Sequence, residues 1–279
     1  MRIDAHQHFW KIDRGDYGWI TPEIPVLYRD YLPEDLKPIL DRHGIGGTIA
    51  VQAAPTLEET DYLLSLAEKH PAILGVVGWL DLNDPRWREH FERHRQHPRY
   101  IGFRIMIQEM PDARVILEPS FVEALRFFAE EDVPVDLLVK AGQLDSLVEL
   151  LDRVPNVRGV IDHIAKPFIS RGEMEPWLSQ MRRIASHPGI YCKLSGMVTE
   201  ADPESWKPSD LTGYIRSAIE LFGPDRVMFG SDWPVCLLAA SYDEVMEALE
   251  ESLPDGYSEV DREKLFGGNA AVFYKLPPR

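Results

Sequence analysis

Short apolar runs alternate with longer amphipathic stretches along the chain, and this alternation limits the possible folds more than any other feature. The runs predicted as strands are 2–9, 46–53, 73–81, 101–107, 134–140, 158–165, 190–196 and 226–233. The stretches predicted as helices lie near 33–43, 57–69, 85–96, 119–131, 143–152, 175–186, 208–222 and 241–252. Strands that alternate with helices pair in parallel, and eight such strands close a barrel. We therefore predict the α/β class and a TIM-like (β/α)₈ barrel.

An open, doubly wound sheet is the alternative for the same alternation. It is disfavoured because no Gly-x-Gly-x-x-Gly sequence follows an early strand. No Gly/Ser/Pro-rich break divides the chain, which predicts a single domain over 1–279. A last amphipathic segment, near 259–274, is expected to pack on the barrel exterior through Leu265, Phe266, Val272 and Phe273.

The charge and cysteine content restrict the class of partner. Lys and Arg number 30 against 46 Asp and Glu, which leaves a net charge of −16. Because a field of that sign repels phosphate backbones and anionic membranes, we expect neither nucleic acid nor membrane as a partner. Two cysteines are too few for a disulfide framework, and this favours a cytoplasmic location. The sequence leaves open whether copies of the chain form a homo-oligomer.

The first predicted strand carries two histidines at a spacing suited to metal binding. Alternate side chains of a strand share a face, so Asp4, His6 and His8 are predicted to project together. Neutral imidazole is the commonest metal ligand, and two imidazoles at this spacing can reach one ion. The alternative is a pair of histidines that only form hydrogen bonds.

Two later strands end in residues of the same kind. The sixth predicted strand ends near His163, and the eighth ends near Asp232. Taken alone, His163 could be a buried core histidine, and Asp232 could cap a helix. Active sites of such barrels form where the carboxyl ends of the strands meet, so together these residues indicate one shared site. Its candidate catalytic residues and metal ligands are His6, His8, His163 and Asp232.

Cationic, amide and aromatic side chains near the predicted strand ends are candidates for contacting a substrate. They are Arg104, Lys166, Lys140, Gln52, Trp10, Trp79 and Trp233. Arg104 interrupts an apolar strand, where a guanidinium is either a substrate clamp or one half of a structural ion pair. The lysines and the glutamine can bond substrate oxygens, and a tryptophan presents a flat apolar face to a ring. Surface, ion-pair and core-packing roles are the alternatives.

Several segments taken together resemble a known family. They are DAHQHFW, VQAAPTLEETDYLL, GVVGWLDL, GFRIMIQ, DHIAKP, CKLSGMVTEA, RVMFGSDWPVC and NAAVFYKL. These segments are similar to sequences of the amidohydrolase superfamily, and more narrowly to its sugar-lactonase branch. The resemblance spans essentially the whole chain. It implies a barrel of the metal-dependent hydrolase type and a small-molecule lactone substrate such as L-fucono-, L-rhamnono- or galactono-lactone.

The chain departs from the family pattern in one respect that affects the metal. Superfamily members with two metals carry a carboxylated lysine on strand four and a histidine on strand five. Here strand four carries Arg104, and strand five ends in Lys140 without a histidine. The resemblance therefore implies one divalent ion, with zinc as the expected ion, or a site that works without metal.

Opening a lactone requires deprotonation of water, stabilisation of an oxyanion and protonation of the leaving alkoxide. Asp232 is the candidate general base, and once protonated it can return the proton to the leaving oxygen. A decarboxylase or hydratase of the same superfamily, acting on a carboxylated ring, is the alternative activity. A deoxyribonuclease of the related barrel type is disfavoured by the charge of −16. A non-catalytic barrel that serves as a binding module is the remaining alternative.

Overall fold

Eight parallel strands form one sheet in chain order in the computed structural model, which describes residues 1–277. They are β1 Arg2–Gln7, β2 Ile45–Val51, β3 Ile73–Trp79, β4 Tyr100–Met106, β5 Val135–Leu138, β6 Gly159–Ile161, β7 Ile190–Leu194 and β8 Val227–Phe229. A parallel bridge between Gln7 and Trp233 brings the segment that follows β8 back to β1. The predicted (β/α)₈ barrel is confirmed.

A helix follows each strand. The eight helices are α1 Pro33–Arg42, α2 Leu57–Lys69, α3 Trp87–His94, α4 Pro119–Glu130, α5 Leu144–Arg153, α6 Trp177–Ala185, α7 Pro208–Phe222 and α8 Tyr242–Ser252. The hydroxyls of Thr56 and Ser241 accept hydrogen bonds from the third residue of α2 and α8, which explains where these two helices begin. Within residues 1–277, no helix combines the length and the apolar character needed to cross a membrane.

Apolar side chains form one cluster inside the barrel and a larger one between the strands and the helices. The inner cluster joins side chains of the neighbouring strands β1, β2 and β3 to side chains of β6 and β8. In the outer cluster, α5 contributes Leu144, Leu147 and Leu151, one face of the helix at helical spacing. The barrel interior below the site is therefore packed with side chains.

The segment near 259–274 packs on the barrel exterior as predicted only in part, since Leu265 and Phe266 lie in the outer cluster. It forms two short helices, α9 Glu259–Glu263 and α10 Asn269–Phe273. Phe273 and Tyr274 belong to the inner cluster, and the Tyr274 hydroxyl donates to Asp136 Oδ1 at 2.7 Å. Val272, predicted to pack, is 64% exposed. Gly267 lies against the backbone of Met1 and Ile3 at the start of β1, so the segment covers the amino-terminal end of the barrel.

A bulge in β1 overturns the prediction that Asp4 shares a face with the two histidines. Asp4 pairs with Thr48, and Gln7 pairs with Ala50, so three steps along β1 match two along β2. The extra residue in β1 shifts the alternation of inward-facing and outward-facing side chains by one position. Asp4 points out of the barrel and accepts a hydrogen bond from the Tyr242 hydroxyl of α8 at 3.1 Å. The histidines that follow the bulge point inward.

Candidate active site

Three imidazole nitrogens surround one carboxylate oxygen at the carboxyl end of the barrel. Asp232 Oδ1 lies 3.2 Å from His8 Nε2 and 3.7 Å from His6 Nε2. It lies 3.8 Å from His163 Nε2. Ligand atoms of a tetrahedral zinc ion lie roughly 3.3 Å apart, because each is about 2.0–2.1 Å from the metal. All four predicted residues thus lie together, and the ligand atoms of His6, His8 and Asp232 are within 4.8 Å of one another, close enough to hold one divalent ion.

A left-handed turn presents His163 to this cluster. The four residues from His163 to Lys166 have positive φ angles of 55°, 45°, 61° and 48°. Such a conformation costs roughly 1–2 kcal/mol per non-glycine residue, so other contacts must hold it. The Trp177 indole donates to the Ile164 carbonyl at 2.7 Å, and His163 Nδ1 lies 2.9 Å from Ser195 Oγ. Backbone strain of this kind concentrates at functional sites.

The tautomer of His8 leaves a lone pair facing the carboxylate. His8 Nδ1 lies 2.8 Å from the Val51 carbonyl, which only accepts hydrogen bonds, so Nδ1 carries the proton. In a neutral ring, Nε2 is then an acceptor 3.2 Å from Asp232 Oδ1. Two facing acceptors are stabilised by a cation between them, which is either a proton on Nε2 or a divalent ion.

His6 has a buried nitrogen with no hydrogen-bond partner among residues 1–277. Its Nε2 is the unpaired atom, and it points toward the cluster. Its Nδ1 lies 3.3 Å from Asp162 Oδ1 and 3.1 Å from Lys193 Nζ. A buried polar atom without a partner is costly, and a bound cation removes that cost. The residues present therefore fit a divalent metal ion.

The protonation states suit the same ion. Burial lowers the pKa of His163 to about 4 and lowers that of His6 well below its usual value, so both rings are neutral near pH 7. Burial by itself would raise the pKa of Asp232, but the surrounding imidazoles outweigh it and the pKa is lowered. Neutral imidazoles and an ionised carboxylate are the forms that bind a metal.

Beneath the cluster lies a buried charge network that the sequence analysis missed. Lys193 Nζ lies 3.1 Å from Asp162 Oδ1, and it forms a second, very short ion pair with Asp136. Burial would raise the pKa of Asp162, but Lys193 and His6 lower it well below its usual range. The sequence signal was a set of charged residues inside apolar strands, which is rare unless the charges are paired.

A cavity of about 550 Å³ opens beside the cluster. Its lining residues include His8, His163, Asp232, Asp16, Trp19, Arg104, Gln108, Glu109 and Lys166. Arg104 Nη1 lies 3.4 Å from Asp162 Oδ2, and Lys166 Nζ lies 3.6 Å from Glu200 Oε1. Both predicted cations therefore reach the cavity, and each already has a carboxylate partner.

Gln52 and Lys140, both predicted to contact a substrate, do not line this cavity. Gln52 is buried behind Arg104 and accepts hydrogen bonds from its guanidinium at 2.9 and 2.6 Å. It therefore holds Arg104, because its side-chain oxygen points at the guanidinium. Lys140 is exposed, outside the lining residues.

The three predicted tryptophans also lie elsewhere. Trp10 is fully buried and donates its indole hydrogen to the Arg29 carbonyl at 2.8 Å. Trp233 packs edge-on against Phe9 and Tyr31, and Trp79 does not line the cavity. Trp10 and Trp233 pack in the core, because large aromatic surfaces are stabilised by burial. Trp19, which the prediction omitted, is the tryptophan in the cavity lining.

The chain matches a known family over most of its length. The model of the amidohydrolase family matches residues 3–276. An L-fucono-1,5-lactonase from Burkholderia multivorans is 39% identical, over 99% of this chain and 97% of the relative. An L-fucono-1,5-lactonase from Burkholderia ambifaria is 38% identical, over 99% of this chain and 96% of the relative. The crystal structure of a Burkholderia multivorans amidohydrolase with bound zinc superposes with a TM-score of 0.92 at 40% identity, over 99% of this chain and 100% of that one. The resemblance seen in the sequence is thereby confirmed, and the chain belongs to the amidohydrolase family.

Proposed function

We propose that the protein is a lactone hydrolase whose substrate is an uncharged sugar-acid lactone, with L-fucono-1,5-lactone as the first candidate. Two relatives at 38–39% identity carry the name L-fucono-1,5-lactonase, and this supports the choice of substrate. The His–Asp cluster beside a cavity of about 550 Å³ supports the placement of the reaction.

Asp232 is the proposed general base. Its carboxylate is ionised, lies at the cavity and faces the imidazoles of His6, His8 and His163. It takes a proton from water as the water oxygen bonds to the lactone carbonyl carbon. When the ring C–O bond breaks, protonated Asp232 gives that proton to the alkoxide, so the products are a free hydroxyl and a carboxylic acid.

A zinc ion is the proposed cofactor, held by His6, His8, His163 and Asp232. When bound, it supplies positive charge that polarises a carbonyl and makes water more acidic. Arg104 and Lys166 line the same cavity and offer N–H groups to substrate oxygens. Their position supports a role in binding the lactone carbonyl or hydroxyls.

The ion pairs formed by the cavity cations favour a lactone over a carboxylated ring as the substrate. Arg104 is paired with Asp162, and Lys166 with Glu200. Asp16 and Glu109 add two further carboxyl side chains to the lining. These carboxylates would repel an anionic ring. Among the described lining residues, no unpaired lysine or arginine would neutralise its charge. This charge balance favours an uncharged substrate over that of a decarboxylase or hydratase.

A substrate panel tests the proposal. Purified protein is incubated with L-fucono-1,5-lactone, an L-rhamnonolactone and an aromatic dicarboxylic acid, and acid release and CO₂ release are followed together. We expect acid release from one or both lactones and no CO₂. Loss of CO₂ from the carboxylated ring, with no lactone opened, would contradict the proposal.

A further inference from the structure

Trp19 is a large aromatic side chain in the lining of the cavity. It lies between β1 and α1, and it is the only Trp, Tyr or Phe among the described residues that line the cavity. It is 40% exposed, whereas its neighbour Trp10 is fully buried. A tryptophan left exposed beside a reaction centre has apolar surface available for a ligand.

The indole is held in place before any ligand arrives. Its Nε1 donates to the Ala53 carbonyl at 2.8 Å, and its ring packs edge-to-face on Trp10 with centroids 5.7 Å apart. The Ala53 backbone N–H donates in turn to the buried carboxylate of Glu59 in the first turn of α2, at 3.0 and 2.8 Å. The chain Glu59–Ala53–Trp19 thus ties the ring to the barrel scaffold, which lowers the entropy cost of using it for binding.

The fixed orientation decides which contact the ring can make. Since the only polar atom of the indole is already bonded to Ala53, Trp19 offers carbon surface and not a hydrogen bond. Such surface packs against C–H groups of a sugar ring. The cavity also carries Asp16, Glu109, Arg104 and Lys166, which can bond hydroxyls. An apolar ring surface and several polar side chains in one cavity match a ring with a C–H face and several hydroxyls.

We infer that Trp19 binds the substrate, with the C–H face of a neutral polyhydroxylated lactone packed on its indole. The inference rests on the proposed function and specifies how that site selects its ligand. Trp19 is then a binding residue and takes no part in proton transfer.

The test compares Trp19→Ala, Trp19→Phe and Tyr28→Ala with the unchanged protein. Tyr28 is the matched control, because it is in the same segment, is 43% exposed and does not line the cavity. For L-fucono-1,5-lactone we expect Trp19→Ala to raise KM by roughly 10-fold, the loss expected for one aromatic contact, with little change in kcat. Trp19→Phe keeps an aromatic face and should raise KM less. Tyr28→Ala should leave KM unchanged.

Binding is measured separately by saturation-transfer NMR with freshly dissolved lactone, so that the two proposals can fail independently. An unchanged KM in Trp19→Ala, or an equal change in Tyr28→Ala, would overturn the inference while lactone opening still stands. If the protein opens no lactone, the proposed function fails, and the inference survives only if the lactone binds and Trp19→Ala weakens that binding. If no lactone binds, both are overturned.

Discussion

At the scale of single residues, the site depends on buried charges that hold one another. Lys193 is the only cation in contact with both Asp136 and Asp162 among the described residues, and Asp162 in turn faces His6. Removing one partner of a buried ion pair is costly because the other is left as an unpaired charge. Lys193 therefore links the stability of the barrel interior to the position of His6.

We predict that Lys193→Met lowers the free energy of unfolding by about 3–5 kcal/mol, the usual cost of breaking a buried pair. Urea unfolding followed by circular dichroism measures it. The double variant Lys193→Met with Asp136→Asn is the control, since it removes the carboxylate that loses its ion-pair partner and should recover part of the loss. Wild-type stability in the single variant would show that the network is not needed.

At the scale of elements, strand ends and tight turns set the spacing within the cluster. Gly196 follows β7 with a φ of 61°, and a Cβ added there would overlap the His163 ring and lie 3.1 Å from Asp232 Oδ2. The left-handed turn that carries His163 therefore fits only because the facing position has no side chain.

We predict that Gly196→Ala lowers kcat by at least roughly 100-fold, because displacement of His163 by even 1 Å spoils the site geometry. It should also reduce the zinc content, measured by elemental analysis of the purified protein. Gly213→Ala, in α7, is the matched control, since an added Cβ there meets no atom within 4 Å. If Gly196→Ala keeps full zinc content and activity, the fit between this glycine and His163 is unimportant.

At the scale of the whole molecule, the carboxyl-terminal segment closes the barrel at the end opposite the site. Asp132, between α4 and β5, bonds Arg158 Nε at 2.6 Å and Lys275 Nζ at 2.7 Å. The hydrogen bond from Arg158, with a smaller contribution from Lys275, lowers the pKa of Asp132 to about 2. This contact joins three distant parts of the chain.

The pKa of Asp132 predicts a contribution to acid sensitivity. Its folded value lies below the unfolded value of about 3.9, so its stabilising contribution is present above pH ~4 and is lost as the pH falls toward about 2. Asp132→Asn should therefore unfold with a weaker pH dependence over this interval. The effect is modest because the carboxylate is half exposed. Urea midpoints at pH 5, 3.5 and 2.5 test it, and identical pH dependence in both proteins would contradict it.

The sequence predicted the barrel and the four cluster residues for one physical reason. Parallel strands bring their carboxyl ends to one side, so His163 and Asp232 could be placed beside His6 and His8 without coordinates. The bulge in β1 could not be predicted, because it depends on pairing with β2. The sequence could not distinguish tryptophans buried in the core from a tryptophan in the cavity lining, because these positions differ only in long-range contacts. Trp19 was missed for that reason.

The most direct test of the central claim is the rate at which Asp232→Asn opens L-fucono-1,5-lactone. Asparagine keeps the shape of the side chain but cannot take a proton from water. We predict that the unchanged protein opens the lactone and that kcat falls by several orders of magnitude in Asp232→Asn, with the fold retained by circular dichroism. Turnover by Asp232→Asn within about 10-fold of the unchanged protein would contradict the assignment of Asp232 as the general base.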